Sequence, residues 1–445
     1  MRRVRWLAAA AVCLVALAGA PALAAAPTTT RVSVSTAGTQ ADDDSRFPAV
    51  DATGTVIAFD SHATNLVPGD GNGRLDVFVR DRGQATTVRV SVATGGGDAN
   101  DISARPTIDA SGTVVAFESP ATNLIVGDTN NAQDVFVRDL AAGTTRRVSR
   151  GLNGAQPNGA SANAAVSADG RYVAFGSFAS NLVAGDTNNA QDVFVRDLQT
   201  TVIRRVSVDA SGRQGNGASG QPSISARGTL VAFNSHATNL VPGDTNARQD
   251  VFVHDTTSGT TTRVSVTSTG REGNGHSFTP SIAGDGSHVA FASEATNLVP
   301  GDTNGSQDVF VHPLPAGATE RVSVSSNGVE GNGPSGSPSM SSASPSPPSG
   351  QRTYVAFVST ASNLVPSDTN LVGDIFRRER LVGGFGVTTG TTRWSLAQDG
   401  SQSFGLGSGQ PAITPSGQHI AFVSEALNLV PGDTNSDQDV FVRGP

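Results

Sequence analysis

A phrase of ten residues recurs seven times along this chain: Asp-Thr-Asn, three further residues, then Asp-Val-Phe-Val, with small variations. Its first aspartates are Asp70, Asp128, Asp186, Asp244, Asp302, Asp368 and Asp433, which are 58 residues apart four times and then 66 and 65 apart. A unit of this length cannot bury a core of its own, so the copies must stack as supersecondary units. A residue found in every copy is then architectural, and we expect chemistry where the copies differ.

Each copy contains four short runs with the composition of β-strands. In the second copy they cover residues 106–108, 114–117, 134–137 and 147–149, all rich in β-branched or aromatic residues and bounded by turn residues. No stretch has helical periodicity with caps. Four strands per repeat in seven repeats predict an all-β fold, a seven-bladed β-propeller with four-stranded blades.

Phenylalanines recur at two positions of the repeat, in the second and the third run. These two sets hold 14 of the 19 phenylalanines and are Phe59, Phe117, Phe175, Phe233, Phe291, Phe357 and Phe422, with Phe78, Phe136, Phe194, Phe252, Phe310, Phe376 and Phe441. Burying each ring is worth about 2–3 kcal/mol relative to exposure. We therefore expect them to form the packing between blades.

The two ends of the chain predict how the ring of blades closes. An Arg-Val-Ser run ends every copy except the last, and it also occurs once before the first copy, beginning at Arg31. Residues 31–34 should therefore form the outer strand of the seventh blade. A closed circle of this kind leaves no unpaired sheet edge.

The first 24 residues have the pattern of a secretory signal peptide. A basic start with Arg2, Arg3 and Arg5 precedes an apolar stretch that is too short to span a bilayer, and Ala22-Leu23-Ala24 fits a cleavage site. Either Sec or twin-arginine export agrees with this pattern. We predict a signal peptide at 1–24 and a propeller at 28–445, in a secreted or periplasmic protein.

The charge of the chain excludes some classes of partner. Without the three arginines of the leader, 27 arginines stand against 38 acidic residues, a net charge near −11. An acidic chain without basic runs argues against nucleic acid and anionic lipid as ligands. No later segment is apolar enough for membrane insertion, and we expect a monomer.

The connections within each copy differ in length. The first and third are tight turns, whereas the second connection and the connection to the next copy are long. In an up-and-down blade both long connections emerge on the same face. We expect function on that face, because binding and catalytic residues concentrate in loops on a rigid scaffold.

The repeat resembles that of TolB-type, WD-repeat-like propellers. In the third copy the matching residues are Ser167, Asp169-Gly170, Val173-Ala174-Phe175, Ser177, Asp192-Val193-Phe194-Val195, Asp197 and Arg205-Val206-Ser207. The resemblance covers about residues 28–443. It implies the fold and leaves function open, because propellers serve many roles. A similar propeller also precedes some serine peptidase domains, but this chain has no Gly-x-Ser-x-Gly elbow.

One pattern in the repeat could bind a cation, namely Asp-x-Asn-x-x-x-Asp. Closely spaced carboxylate and amide oxygens suit calcium, and the same residues also cap turns through their own backbone. Both interpretations stand at this point. The candidate calcium ligands are Asp70, Asn72, Asp76, Asp128, Asn130, Asp134, Asp186, Asn188, Asp192, Asp244, Asn246, Asp250, Asp302, Asn304, Asp308, Asp368, Asn370, Asp374, Asp433, Asn435 and Asp439.

The sequence offers little for catalysis. Seven histidines are scattered over the copies. Glu118, Glu294 and Glu425 are expected to share a position after the second run, as surface charges. We therefore predict a non-catalytic, exported scaffold that binds a protein or cell-envelope partner through its long-loop face. Apart from the candidate calcium, the sequence predicts no cofactor. The alternative is a secreted hydrolase or lyase with a metal site near the propeller axis.

Overall fold

The computed structural model describes residues 27–345, 351–382 and 390–445. Within these residues the strands form seven antiparallel sheets arranged as the blades of a propeller. The predicted fold class is confirmed, including seven blades of four main strands each. The predicted signal peptide at 1–24 lies outside the described residues.

The strands of a blade are named here first, second, third and outer, from the axis outward. The first strands of blades 1 to 7 are Ser45–Val50, Ala104–Ile108, Ser161–Val166, Ser219–Ile224, Ser277–Ile282, Ser335–Met340 and Gly405–Ile413. The second strands are Val56–Ser61, Val114–Ser119, Tyr172–Ser177, Leu230–Ser235, His288–Ser293, Gln351–Ser359 and Ile420–Ala426.

The two remaining positions complete each blade. The third strands are Asp76–Asp81, Asp134–Asp139, Asp192–Asp197, Asp250–Asp255, Asp308–Pro313, Asp374–Val382 and Asp439–Gly444. The outer strands are Thr86–Arg89, Thr144–Arg147, Ile203–Arg205, Thr261–Arg263, Glu320–Arg321, Thr391–Arg393 and, for blade 7, Thr28–Arg31. A short strand, Ser344–Pro345, pairs with the second strand of blade 6, and one 3-10 turn covers Leu152–Gly154.

The ring closes through the N-terminal strand, as predicted. Thr28–Arg31 pairs with the third strand of blade 7, and Arg31 lies opposite Phe441. The strand begins three residues earlier than the sequence suggested and ends at Arg31. The Arg31 guanidinium lies 3.0 Å from the Asp433 carboxylate. Val32 continues the contact by donating a backbone hydrogen bond to Val440.

The phenylalanines form the core between blades. In every blade the second- and third-strand rings lie against each other, with centroids 5.8–6.0 Å apart. All 14 rings are fully buried. In the closing interface, Phe59 and Phe78 pack against Ala421, Val423 and Val442 of blade 7. The apolar core is thus a ring of inter-blade clusters around the axis.

The closure predicts that the N-terminal strand is needed for stability. A chain that begins at residue 36 leaves the edge of blade 7 unpaired and removes Arg31, so its melting temperature should fall sharply relative to a chain that begins at residue 27. Differential scanning calorimetry of the two chains measures this difference. Equal melting temperatures would contradict closure by this strand.

Candidate functional site

The repeated aspartates surround a buried arginine in each blade. The arginines at the ends of the outer strands lie between the loop aspartate, at 3.0–3.3 Å, and the third-strand aspartate, at 3.1–3.6 Å. These arginines are Arg31, Arg89, Arg147, Arg205, Arg263, Arg321 and Arg393. The sequence did not predict this pairing, because the arginine lies 13 to 19 residues after the third-strand aspartate in blades 1 to 6.

The remaining polar side chains of the motif also satisfy the third-strand aspartate. In blade 2, the Ser149 hydroxyl donates to one oxygen of Asp134 at 2.6 Å, and the Asn130 amide donates to the other at 3.1 Å. The same asparagine–aspartate bond occurs in blades 1 to 6. The asparagine therefore presents a donor, whereas a cation would need its oxygen.

This geometry bears on the two interpretations of the motif. The guanidinium occupies the centre of the carboxylates and supplies the positive charge that calcium would bring. In the parts of the chain that the structure describes, no group of three or more His, Cys, Asp or Glu side chains is arranged to hold a metal. Calcium binding by the 21 residues stays a prediction, while ion pairing gives the conserved pattern a structural role.

Burial raises the pKa values of several of these aspartates. Loss of water is the largest cause at Asp70 and at Asp244, each of which has a pKa of about 6, and the adjacent arginine opposes it. Third-strand aspartates such as Asp134 shift in the same direction for the same reason. The clusters are therefore buried ion pairs whose charged form depends on the arginine.

The histidines do not converge at the axis. His254 and His312 bond to Thr261 and Thr319 at the edges of their own blades. His236 and His276 are neighbours in the long loops, with ring centroids 6.1 Å apart. No three of the described histidines form a metal site, so the residues present do not fit the axial metal centre that we considered as an alternative.

A ring of left-handed residues surrounds the mouth of the central channel. The second or third residue of each first strand in blades 1 to 6, and Gln410 within the longer strand of blade 7, has a positive φ of 47–54° and lies at a β-bulge. The seven residues are Phe47, Arg105, Asn163, Gln221, Thr279, Ser337 and Gln410, and they line a cavity of about 330 Å³. Left-handed backbone is costly for residues other than glycine and often marks a functional site.

This ring is where the copies differ most in chemistry. Its members are aromatic, cationic, amide or hydroxyl residues at one structurally equivalent position, followed by proline in six of seven blades. The ring lies on the face of the long loops, because each first strand begins there after the connection between blades. The mouth of the channel is therefore a candidate for the chemistry that we expect where the copies diverge.

Two buried carboxylates support one side of the ring. Asp60 accepts a hydrogen bond from the backbone N–H of Arg105 at 2.8 Å, and Glu118 accepts one from Asn163 at 2.7 Å. Both carboxylates follow the second-strand phenylalanine directly. The other five blades have Gly176, Asn234, Ala292, Val358 and Val423 at this position. The fold therefore does not require a carboxylate there.

Our grouping of Glu118 with Glu294 and Glu425 was wrong. Glu118 follows its phenylalanine by one residue, whereas Glu294 and Glu425 follow theirs by three. The difference changes the environment, because Glu118 is 8% exposed and Glu294 is open to solvent. An alignment of the seven copies on their phenylalanines would have separated the two positions.

Asp60 is a buried carboxylate that changes charge near neutral pH. It is inaccessible to solvent, and its Oδ1 has no hydrogen-bond partner among the described residues. Burial raises its pKa to about 7, against the opposing effects of the Arg105 N–H and of the charges on Arg46 and Arg105. Such a shift is typical of functional carboxyl groups.

Arg105 lines the cavity, and Glu118 lies buried beside it. The Arg105 Nε lies 3.5 Å from Glu118 Oε1, and its guanidinium lies over the Phe47 ring, 4.5 Å from the centroid. Burial is the main cause that raises the pKa of Glu118. The mouth therefore has an exposed guanidinium at its surface and a buried carboxyl group next to that guanidinium.

Comparison with known proteins gives the fold and no family. No family model and no curated protein matches the chain. Among solved structures, an oligogalacturonate lyase in complex with manganese is 12% identical, with 94% of this chain and 92% of that chain covered and a TM-score of 0.50. A protein described as TolB from Agrobacterium tumefaciens is 15% identical over 63% of this chain and 81% of that chain, with a TM-score of 0.40.

Other similar structures are propeller domains of larger enzymes. An acylaminoacyl peptidase from Pyrococcus horikoshii is 9% identical, with 86% of this chain and 49% of that chain covered and a TM-score of 0.45. The chain thus spans about half of that peptidase. At these identities the likenesses show the fold alone.

The prediction of a non-catalytic scaffold is contradicted by these neighbours. We inferred the absence of an enzyme partly from the missing Gly-x-Ser-x-Gly elbow of a peptidase domain. The lyase overturns that inference, because 92% of its chain is covered by this propeller alone. The manganese of that lyase has no fitting ligand cluster among the residues described here. No helix in the described ranges is both long and apolar enough to cross a membrane.

The buried arginines predict how the repeat responds to calcium. Because a guanidinium already neutralises the aspartates, we expect the same melting temperature in EDTA and in millimolar calcium. Binding at tenfold excess over the dissociation constant would instead add about 1.4 kcal/mol per site. Calorimetry in the two buffers tests this, with magnesium as the control ion. A large rise that is specific to calcium would contradict the ion-pair interpretation.

The pKa of Asp60 predicts a pH-dependent stability. The folded pKa of Asp60, about 7, lies above the ordinary aspartate value of 3.8. Its stabilising contribution is therefore present below about pH 4 and is lost as the pH rises through 7, by up to about 4 kcal/mol. Asp60→Asn should therefore flatten the pH dependence of the free energy of unfolding between pH 4 and 8. Urea denaturation measures it, with exposed Asp43→Asn as the control. An unchanged slope in Asp60→Asn would place the pKa of Asp60 near its ordinary value.

Proposed function

We propose that this protein is a lyase that acts on a carboxylated substrate at the long-loop mouth of the channel. The observation that carries the proposal is the pair of buried carboxylates, Asp60 and Glu118, at a position where five blades have none. Burying a carboxylate is costly. A buried carboxylate occurs in two adjacent blades, beside the cationic ring residue Arg105. This arrangement supports a catalytic role for the cluster.

An elimination reaction suits these groups. The Glu118 carboxylate takes the proton from the carbon next to the substrate carboxylate, and that electron pair forms a carbon–carbon double bond as the bond to the leaving oxygen breaks. Protonated Glu118 then returns the proton to the leaving oxygen. Arg105 pairs with the substrate carboxylate and stabilises the negative charge that develops there.

Asp60 acts through its neighbours. It holds the backbone of Arg105 at 2.8 Å and contributes to the electrostatic environment that it shares with Glu118. Because its charge changes near neutral pH, it alters the field on both groups. It is a positioning residue, and the pH profile of the reaction should report its titration.

The neighbouring lyase supports this class of reaction without proving it. That protein is named as an oligogalacturonate lyase, and its substrate is therefore a carboxylated oligosaccharide. We also infer an extracytoplasmic location, secreted or periplasmic, from the leader-like sequence of residues 1–24. A polymeric acidic substrate would be met there. A protein or cell-envelope partner stays a prediction.

An activity assay tests the proposal. The purified chain is incubated with oligogalacturonate, and the new double bond is followed by its ultraviolet absorbance. Glu118→Gln should lower kcat by at least about 100-fold, the lower end of general acid–base effects. Arg105→Gln should both raise KM and lower kcat, because Arg105 holds the substrate carboxylate and stabilises the charge that develops on it. Exposed Glu294→Gln is the matched control and should leave both constants unchanged.

Two results would overturn the proposal. One is the absence of unsaturated product from oligogalacturonate and from other uronate oligosaccharides. The other is undiminished activity in Glu118→Gln, which would locate the reaction elsewhere. Circular dichroism of each variant separates loss of activity from loss of fold.

A further inference from the structure

Blades 2 and 3 lack a contact that joins most other neighbours. In five interfaces a threonine of the outer strand donates to a backbone carbonyl of the preceding blade, at 2.5 Å. The residue that supplies this carbonyl is Val34, Val208, Val266, Val324 or Leu396. Blade 3 has Ile203 in place of the threonine, and in blade 2 the residue equivalent to those that supply the carbonyl is Arg150.

The loss of the threonine also frees a cation on the third strand. In the other six blades an arginine or histidine at this position bonds to the outer-strand threonine, at 2.9–3.1 Å. In blade 3 the equivalent residue is Arg196, which lies opposite Ile203. The side chain of Arg196 makes no hydrogen bond or ion pair among the described residues.

Three arginines consequently meet without a counterion. Arg196 is joined by Arg150, at a position that is apolar in the other six copies, and by Arg146 of the blade 2 outer strand. After burial, the charges of Arg150 and Arg146 are what lower the pKa of Arg196, and no carboxylate is among the causes. In a chain with net charge −8, such a cluster is unusual.

These arginines line a cavity between the two blades. Its volume is about 410 Å³, and Ile125 and Leu198 contribute apolar surface to it. Asp128 and Asp134 are already paired with the adjacent Arg147, so their charge does not compensate the cluster. An anion in the cavity would relieve the mutual repulsion of the three guanidinium groups.

We propose that the cavity between blades 2 and 3 is a binding site for a tetrahedral oxyanion, a phosphate or sulfate group. The forked guanidinium matches the oxygens of such groups, and three cations favour a ligand with more than one negative charge. The group can be the free ion or an ester on a sugar. The site is separate from the channel mouth and does not depend on the lyase proposal.

Isothermal titration calorimetry of the propeller, residues 27–445, tests the site. Inorganic phosphate, sulfate and a sugar phosphate are each titrated at constant ionic strength set with chloride. Arg150→Val installs the residue found in most copies, and Ile203→Thr restores the threonine without changing the charge. Each should raise Kd at least about tenfold, because charge-assisted contacts are lost.

The control variant also removes one positive charge, but at a position far from the cavity in the sequence. Arg271→Val removes an exposed arginine from the loop between blades 4 and 5 and should leave Kd within about twofold. The absence of saturable binding, or equal Kd values in Ile203→Thr and the unmutated protein, would overturn the proposal. Binding of citrate in preference to phosphate and sulfate would overturn the class of ligand. Tighter binding of the sugar phosphate than of the free ion would identify an ester as the ligand.

Discussion

The buried arginine between two aspartates is the interaction on which each blade depends. It connects three segments that are apart in the sequence: the long second loop, the third strand and the outer strand. In blade 2, for example, Arg147 contacts Asp128 and Asp134 at 3.0 and 3.1 Å. Breaking such a buried pair by removing one partner leaves an uncompensated charge and typically costs 3–5 kcal/mol. The loop and the edge of the blade therefore hold each other in place.

The same interaction closes the ring. Arg31 reaches Asp433 and Asp439 at the other end of the chain, so the N-terminal strand is fixed by charge as well as by backbone pairing. The stacked phenylalanines then fill the wedges between blades. A scaffold built from seven repeats of one interaction can tolerate variation at positions outside it, and both proposed sites consist of such variations.

The two sites use departures from the repeat in different ways. At the channel mouth, Asp60 and Glu118 replace small or neutral residues and support ring residues of the following blade. Between blades 2 and 3, Ile203 replaces a threonine and leaves Arg196 without its usual bond. In each case a local change adds charge where the other copies are neutral or internally satisfied. These exceptions distinguish the two proposed sites from the equivalent positions in the other blades.

The sequence by itself determined the fold, the number of blades and the closure, because period, strand composition and the displaced Arg-Val-Ser run are local signals. The sequence did not predict that Arg147 pairs with Asp128 or that Asp60 binds the backbone of Arg105. These contacts join residues that are 19 and 45 positions apart. The sequence also could not reveal that Glu118 is buried, because burial depends on the neighbouring blade. Only the tertiary structure decided which charges are satisfied and which are left to act.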